Sequence, residues 1–372
     1  MFQRALMSPL LFAVAMTTAA HAATPEESAE WLKSIGAKIQ YKEPTADLVL
    51  KGADVDFNSV AAGKLVPADL AKLSAMPKLE RVGLGNQAGT DANVAALVAA
   101  VPNIKALSVH SSAVTDAAFV EIAKLSQLTE LMLFSTKVTP AAMVSVAKLT
   151  KLKNLDVSST AIGDKGLAAI KGLGLTTLSF NSMKGVTRAG MESIAALKNL
   201  DVLNLQFAEI DAELEALTKS KTLTLLALMK SKVTDVGAKS LGKIPTLTEL
   251  YLWKTEITDA TLAALTGLSK LRVLYISETK VTDAGMSSVA KLGALETLWL
   301  DRTAVGDVGA GALAAHPKLK WFKADESKLS DAGVDKLLQI ATLQTIDAKK
   351  TSVTDAGITK FKAARPKGRI TK

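Results

Sequence analysis

Hydrophobic and polar positions along this chain follow a pattern that restarts about every 24 residues. The pattern is clearest in LTELYLWKTEITDATLAALTGLSK from Leu247, LRVLYISETKVTDAGMSSVAKLGA from Leu271 and LETLWLDRTAVGDVGAGALAAHPK from Leu295. Within the second of these units, Leu274 and Ile276 point to one side of an alternating segment, as a strand requires. Met286 and Val289 then follow at helical spacing. Each unit therefore predicts one strand followed by one helix.

The restarts can be read along most of the chain. They fall at Leu79, Ile104, Leu128, Leu152, Leu175, Leu200, Leu223, Leu247, Leu271, Leu295, Leu319 and Leu343. Because a helix separates consecutive strands, the strands must run parallel. A single unit cannot bury its leucines alone, whereas stacked units share a continuous core. The sequence predicts an α/β fold, a right-handed horseshoe-shaped solenoid with a parallel sheet on the concave face and helices on the convex face.

A short motif marks the start of each predicted helix. It reads Val281-Thr282-Asp283-Ala284-Gly285 and recurs as Val353-Thr354-Asp355-Ala356-Gly357. Thr282 is a plausible N-cap, and Asp283 suits the positive end of the helix dipole. With this motif, the repeats resemble the leucine-rich-repeat family over roughly four fifths of the chain. They look like bacterial exported relatives of the cysteine-containing repeats found in F-box-type proteins, although no F-box segment is present.

The chain departs from those relatives at one position, because it contains no Cys. A hydroxyl residue stands where the relatives carry Cys, at Ser112, Thr136, Thr160, Ser231, Thr255, Thr279, Thr303, Ser327 and Thr351. We expect these hydroxyls to form a ladder that satisfies backbone groups between neighbouring turns.

The first 22 residues have the form of a secretory signal peptide. Arg4 supplies the positive start, residues 10–16 are apolar, and Ala20-His21-Ala22 forms the cleavage site. The alternative is a membrane anchor, but the apolar stretch is too short to span a bilayer comfortably. No later apolar run reaches that length. Export without disulfides fits a bacterial periplasm or the extracellular space.

The rest of the chain divides into three predicted parts. Residues 23–78 form an N-terminal cap and a degenerate first repeat, with a capping box at Thr24 to Glu27 and strands at Lys38–Tyr41 and Asp47–Leu50. Residues 79–366 hold about twelve leucine-rich repeats. Residues 367–372 form either a closing strand or a basic tail.

The formal net charge of +9 raises the question of an anionic partner. The lysines on the predicted helices are spread out rather than clustered, which favours a solvated helix face over a dedicated polyanion site. No nucleic-acid-binding module is recognisable, so we predict no nucleic-acid partner.

Aromatic residues concentrate on one part of the predicted concave face. The outward position between the second and third leucines forms a central column of Gly83, Ser108, Met132, Asp156, Ser179, Asn204, Ala227, Tyr251, Tyr275, Trp299, Lys323 and Asp347. Trp253 and Trp321 flank its three successive aromatics. The charged rim around them comprises Lys254, Glu278, Asp301, Arg302, Lys323, Asp325 and Lys349. Contiguous exposed aromatics favour a binding surface, while the alternative is a ladder that stabilises the sheet.

The sequence therefore predicts a binding protein of the bacterial envelope whose partner is a protein or peptide. The partner would occupy the concave face of the units that start at Leu247, Leu271, Leu295 and Leu319, with the aromatics as anchors. One alternative is a cell-wall glycan bound by the same rings. The other is a structural envelope component attached through its basic surface. A weaker candidate patch comprises His110, Met132 and Phe134, which could equally be ordinary surface.

Signals for an enzyme are poor. Outside the signal peptide the only histidines are His110 and His316, which we place on different faces, so no catalytic triad or zinc cluster assembles. Asp301 and Asp325 would stand at a glycosidase-like spacing, but parallel stacking gives every pair of column neighbours that spacing. A calcium site formed by these two and Glu326 would be opposed by Arg302 and Lys323. We predict no catalytic activity and no cofactor.

Overall fold

The computed structural model describes residues 23–41, 53–183 and 185–372. The predicted signal peptide and the predicted strand at residues 47–50 lie outside these ranges. The described residues form fifteen strands: β1 Lys38–Tyr41, β2 Ala53–Asp56, β3 Leu79–Gly83, β4 Ala106–Ser108, β5 Glu130–Met132, β6 Asn154–Asp156, β7 Thr177–Ser179, β8 Val202–Asn204, β9 Leu225–Ala227, β10 Glu249–Tyr251, β11 Val273–Tyr275, β12 Thr297–Trp299, β13 Trp321–Lys323, β14 Thr345–Asp347 and β15 Arg369–Thr371.

All of these strands belong to one open sheet in which they follow each other in chain order. Every neighbouring pair from β2 to β15 is parallel, as one crossover helix per unit requires. The exception is β1, which pairs with β2 in the antiparallel direction. The predicted α/β solenoid is therefore confirmed, and its purely parallel sheet is corrected at the N-terminal pair.

Helices alternate with the strands along the chain. The α-helices are α1 Pro25–Ser34, α2 Asp91–Ala100, α3 Phe119–Ile122, α4 Pro140–Val146, α5 Gly163–Ile170, α6 Arg188–Ala195, α7 Asp235–Ala238, α8 Asp259–Leu265, α9 Asp283–Val289, α10 Asp307–Ala312, α11 Asp331–Leu337 and α12 Asp355–Ala364. Tighter 3₁₀ turns cover Pro67–Ala75, Asn86–Ala88, Asp116–Ala118, Ala212–Lys219 and Leu241–Lys243. The segment Ala212–Lys219 replaces the α-helix in a unit without the Thr-Asp start, and its N-cap side chain makes no capping hydrogen bond.

The leucines of the repeat form the core between sheet and helices. In the unit from Leu271, that residue, Leu274 and Ile276 are fully buried, and Leu292 is 1% exposed. The same positions join into one hydrophobic cluster that runs from the N-terminal helix to β15. Each buried leucine contributes roughly 1.5–3 kcal/mol, so stacking of units provides the stability that a single unit lacks.

The helix-start motif links neighbouring units as well as capping its own helix. The Thr258 hydroxyl accepts from the backbone N–H of Ala260, which makes it the N-cap of α8. The backbone N–H and hydroxyl of Thr258 also donate to the carboxylate of Asp235 in the preceding unit, at 2.9 and 2.6 Å. Burial by itself raises the pKa of Asp235, but hydrogen bonds from Thr258 and Thr261 outweigh it and hold the pKa below its usual range. The sequence predicts only a favourable interaction between this aspartate position and the helix dipole, and not the bond between units.

The hydroxyl position has a different role from the one we expected. The Thr279 hydroxyl donates to the carbonyl of Ile276 at 2.6 Å, three residues earlier in the same unit. Equivalent bonds are made by Ser112, Thr136, Thr160, Ser231, Thr255, Thr303 and Thr351. The hydroxyls therefore fix the turn after each strand, and the prediction that they bridge neighbouring turns was wrong.

The residue before each hydroxyl adopts a left-handed backbone conformation. Lys254, Glu278 and Arg302 have φ values of 56°, 53° and 52°. A non-glycine residue pays a modest strain for this conformation. Its repetition places one side chain per unit along the edge of the sheet where the strands end.

Both ends of the described solenoid are covered by regular elements. Helix α1 begins with the predicted capping box, because Thr24 and Glu27 exchange side-chain to backbone hydrogen bonds of 2.8 and 3.2 Å. At the other end β15 adds to β14. The division into 23–78, 79–366 and 367–372 stays a prediction. Across the described ranges, none of the helices has the length and apolar character needed to cross a membrane.

Candidate functional site

The central column lies in the register that the sequence predicted. Tyr251 pairs with Tyr275, Tyr275 with Trp299, and Trp299 with Lys323 on adjacent parallel strands. Trp321 begins β13 and pairs with Thr297, two positions before the column residue of its strand and therefore on the same face. Parallel, in-register pairing therefore brings aromatics from four consecutive strands onto one face of the sheet.

The rings of this column contact one another. Tyr275 and Trp299 are stacked, with centroids 3.9 Å apart and planes 4° apart. Tyr251 meets Tyr275 edge-on at 4.7 Å, and Trp321 meets Trp299 edge-on at 5.2 Å. Such pairs each add roughly 0.5–1.5 kcal/mol beyond the area they bury, so the ladder contributes to the stability of the sheet whatever else it does.

The aromatics are half-buried rather than exposed, which corrects the expectation of a fully outward patch. The Trp321 indole N–H donates to the Asp347 carboxylate at 2.7 Å, and the Tyr251 hydroxyl donates to Glu249. Burial, together with the neighbouring Glu249, raises the pKa of Tyr251 and of Tyr275 above the ordinary value. The indole N–H of Trp321 and the hydroxyl of Tyr251 therefore already have hydrogen-bond partners within the protein.

Two carboxylates at the carboxyl ends of β12 and β13 are joined by one lysine. The Lys323 ammonium lies 3.1 Å from Asp301 and 2.8 Å from Asp325, and 5.5 Å from the centroid of the Trp299 ring. Burial lowers the pKa of Lys323, but the two carboxylates raise it above its ordinary value. A cation already held between the two aspartates argues against a calcium site or a glycosidase pair there. In the described ranges no three His, Asp or Glu side chains are grouped as a metal site requires.

A row of alternating charges forms the rim at the left-handed positions. Arg302 lies 2.8 Å from Glu278 and 3.0 Å from Glu326, while Lys254 lies 3.6 Å from Glu278 and Lys350 3.3 Å from Glu326. Hydrogen bonds from Arg302 and Lys350 lower the pKa of Glu326 to about 2. These pairs face solvent, so they orient side chains more than they stabilise the fold.

Between the ladder and the rim lies a groove of about 440 Å³. We call it the aromatic groove; its lining is Met229, Trp253, Tyr275, Ser277, Glu278, Trp299, Asp301, Arg302, Lys323, Asp325 and Glu326. It brings together most of the predicted site residues, whereas Tyr251, Lys254 and Trp321 lie beside it. The sequence analysis did not predict Met229 and Ser277 as part of the site. Each stands two residues after a column position, so the strand register could have placed both of them on the concave side.

One polar atom of the aromatic groove has no partner among the described residues. The indole nitrogen of Trp299 is buried and donates no hydrogen bond. Buried donors in folded proteins are nearly always paired. The Trp253 ring, in contrast, lies under the Lys230 ammonium, 4.8 Å from the ring centroid.

The weaker patch lies at a different part of the sheet. The rings of His110 and Phe134 are stacked with centroids 4.4 Å apart, and Met132 stands beside them in the wall of a second hollow. His316 is buried on the helix side and bonds the carbonyl of Leu292 at 3.1 Å. The two histidines are therefore apart, as the sequence indicated.

A family model described as leucine-rich repeat matches residues 148–171, 219–242 and 267–290. Each matched segment is 24 residues long and falls inside the strand and helix alternation described above. The chain therefore contains leucine-rich repeats and has the leucine-rich-repeat solenoid fold.

Solved structures share the fold of this leucine-rich-repeat protein. An internalin, InlF, from Listeria monocytogenes has 18% sequence identity and a TM-score of 0.56, covering 95% of this chain and 98% of that one. A leucine-rich-repeat protein of Leptospira interrogans has 20% identity and a TM-score of 0.54, covering 83% and 81%. TLR13, solved in complex with ssRNA13, has 16% identity and a TM-score of 0.53, covering 76% and 45%. No curated protein sequence matches this chain significantly.

Proposed function

We propose that this leucine-rich-repeat protein is a non-catalytic binding protein of the bacterial envelope that holds an extended segment of a protein or peptide partner in the aromatic groove. The single observation that carries the proposal is the unpaired indole N–H of Trp299 in the groove lining. A backbone carbonyl of a bound peptide is the acceptor that this donor lacks. Export is proposed from the signal-like residues 1–22.

The packing of the rings favours a peptide over the glycan alternative. Sugars bind to aromatic residues through open ring faces. Here Tyr275 covers one face of Trp299 at 3.9 Å, and the Lys323 ammonium lies over the Trp299 ring at 5.5 Å. The groove therefore offers ring edges, a polar donor and charged groups, which suit a peptide better than a pyranose face.

The charge of the groove adds a preference for partner chemistry. Its lining carries the carboxylates of Glu278, Asp301, Asp325 and Glu326 against the cations of Arg302 and Lys323. An excess of carboxylates repels a phosphate backbone. TLR13 was solved with a single-stranded RNA, but this groove lacks the cationic lining that such a ligand needs, so we propose no nucleic-acid partner. A basic side chain on the peptide would complement it.

The experiment compares substitutions of two aromatic residues in the same ladder. A random peptide library is displayed on phage and selected on the immobilised protein, and the enriched peptides are measured by calorimetry against Trp299→Phe and Tyr275→Phe. Trp299→Phe keeps a ring in the stack and removes the indole donor, so we expect affinity to fall about five- to tenfold, the value of one hydrogen bond. Tyr275→Phe removes a hydroxyl outside that bond and serves as the matched control.

Equal affinity for the wild type and for both variants would contradict the proposal, provided that circular dichroism shows intact folding. Enrichment that survives Trp253→Ala/Trp299→Ala would move the binding surface away from the aromatic groove. Association with envelope material that disappears at high salt and ignores these substitutions would instead favour the basic convex surface.

A further inference from the structure

A second hollow of about 420 Å³ lies at the N-terminal end of the concave face, above β2 to β5. We call it the N-terminal hollow; the residues that matter here are Asp54, Gly83, Ser108, His110, Met132 and Phe134. Its lining shares no residue with that of the aromatic groove. The proposal below is therefore independent of the peptide function proposed above.

Strand β3 and its turn carry glycine at two positions where the next unit carries side chains. Gly83 is the column residue that pairs with Ser108, and Gly85 stands two residues later. A Cβ atom at Gly85 would lie 2.5 Å from the Asn58 amide oxygen and 2.9 Å from Nε2 of His110. The two glycines form the floor of the hollow, and the Asn58 and His110 side chains pack directly against the backbone of Gly85.

Three buried polar atoms around this floor have no hydrogen-bond partner among the residues that the structure describes. They are Oδ1 of Asp54, Oγ of Ser108 and Nδ1 of His110. Buried polar side-chain atoms are paired in the large majority of cases. Three exceptions that line one hollow, on strands to either side of its glycine floor, indicate that a ligand's polar groups belong there.

The chemistry of the three atoms restricts what can pair with them. An ionised carboxylate oxygen only accepts, a serine hydroxyl donates and accepts, and a ring nitrogen of histidine does either according to its tautomer. A hydroxyl group serves all three, because it both donates and accepts. An ammonium group cannot accept, and a phosphate at neutral pH has little to donate to a carboxylate.

Arg81, a cation of the lining that lies beside Asp54, is already paired within the protein. Arg81 forms two hydrogen bonds with the Glu130 carboxylate, at 2.5 and 2.9 Å, and lies 3.7 Å from Asp54. Asp56 accepts from the backbone N–H of Asn58 at 2.7 Å. The lining contains one further cation, Lys38, whose side chain is exposed on β1. The donor and acceptor pattern of the three unpaired atoms, rather than the charge of the lining, therefore favours a ligand with hydroxyl groups.

An apolar wall completes the site. The stacked rings of His110 and Phe134 stand next to Met132 on one side of the floor. Small-molecule sites combine such an apolar wall with a few placed polar groups, and their volumes start near 300 Å³. The size therefore suits one or two sugar rings.

We propose that the N-terminal hollow binds a neutral sugar whose hydroxyls pair with Asp54, Ser108 and His110 and whose C–H face lies against Phe134 and Met132. The ligand class is a neutral mono- or disaccharide unit, free or at the end of a larger glycan.

The test uses the full-length chain and four neutral disaccharides: chitobiose, maltose, lactose and mannobiose. Binding is measured by saturation-transfer NMR and calorimetry at up to roughly 10 mM sugar. We expect at least one sugar to bind and Ser108→Ala and Asp54→Asn each to weaken it about tenfold. Gly83→Leu should abolish binding, because a leucine side chain fills the floor. Trp299→Phe in the aromatic groove is the matched control and should leave sugar affinity unchanged.

Absence of binding by all four sugars would overturn the proposal, as would a sugar that binds Gly83→Leu and the wild type equally. Displacement of the bound sugar by inorganic phosphate would also overturn it, since phosphate cannot donate to the Asp54 carboxylate as a sugar hydroxyl does. Ser108→Ala adds no bulk, so its result stands even where Gly83→Leu unfolds.

Discussion

Asp259 of one repeat holds Thr282 of the next through both carboxylate oxygens. One oxygen accepts from the Thr282 backbone N–H at 2.9 Å and the other from its hydroxyl at 2.6 Å. The same pairing joins Asp91 to Thr115, Asp116 to Thr139, Asp164 to Thr187, Asp211 to Thr234, Asp307 to Ser330 and Asp331 to Thr354. The Thr-Asp pair is therefore a connector between units as well as a helix start.

Removal of one connector should destabilise the solenoid. Asp259→Ala leaves the backbone N–H of Thr282 without its acceptor and breaks two charge-assisted bonds. We expect the free energy of unfolding to fall by about 1–3 kcal/mol. Urea denaturation followed by circular dichroism measures it.

The chain offers a matched control for this substitution. Asp355 occupies the same position at the start of α12, but its side chain is 88% exposed and its ion pair is with Lys372. Asp355→Ala should change stability by less than about 1 kcal/mol. Equal losses for Asp355→Ala and Asp259→Ala would refute the connector role.

Gly285 makes room for the same aspartate. A Cβ atom there would lie 2.4 Å from Oδ1 of Asp259 and 2.6 Å from Cδ1 of Leu262. Gly285→Ala in α9 should therefore destabilise the protein by about 1–3 kcal/mol, even though alanine is the better helix former by roughly 1 kcal/mol. Thermal unfolding compares it with Gly293→Ala, where no atom lies within 4 Å. The prediction is wrong if Gly285→Ala is as stable as Gly293→Ala.

His316 should make stability depend on pH above the range of the carboxylates. Its Nδ1 accepts from the backbone N–H groups of Lys318 and Leu319 at 3.3 and 3.1 Å, so the ring must be neutral there. Burial lowers the pKa of His316 below its ordinary value of 6.5, against the hydrogen bond to Leu292. The unfolded chain then binds the proton first, and stability falls as pH decreases below about 6.5.

The measurement is the free energy of unfolding between pH 7.5 and 5.5. A single histidine changes it by at most about 1.4 kcal/mol per pH unit. His316→Phe should lower stability at pH 7.5, because two backbone donors lose their acceptor, and should flatten the pH dependence. An unchanged slope in His316→Phe would assign the pH dependence to other groups.

The fold could be predicted almost entirely from the sequence because its interactions are periodic. Leu247, Leu271 and Leu295 restart the same unit, and identical units can bury their leucines only by stacking. Stacking in turn fixes the register, so Tyr275 had to pair with Trp299. Local rules were enough here, since each element contacts mainly its neighbours.

The roles of polar side chains were predicted less well. The sequence predicts Asp283 at a helix N-terminus, whereas its carboxylate also accepts from the backbone N–H of Gly306 in the next unit. The prediction that the Thr279 hydroxyl satisfies a backbone group of a neighbouring turn was wrong, because it donates to the Ile276 carbonyl of its own unit. A hydrogen bond depends on ångström-scale distances between units, and periodicity alone does not specify those distances.

By itself, the sequence determined the solenoid, the register of its sheet and the crowding of Tyr251, Tyr275 and Trp299 on one face, because a repeat translates directly into a stack. Only the tertiary structure decided which ring faces and polar atoms of those residues remain available to contact a ligand. The stack at 3.9 Å and the Lys323 ammonium cover the Trp299 ring and leave its indole N–H unpaired. The sequence likewise did not predict the N-terminal hollow, with its unpaired atoms on Asp54 and Ser108. A hollow depends on how side chains of neighbouring units pack against one another, and that packing is known only from the tertiary structure.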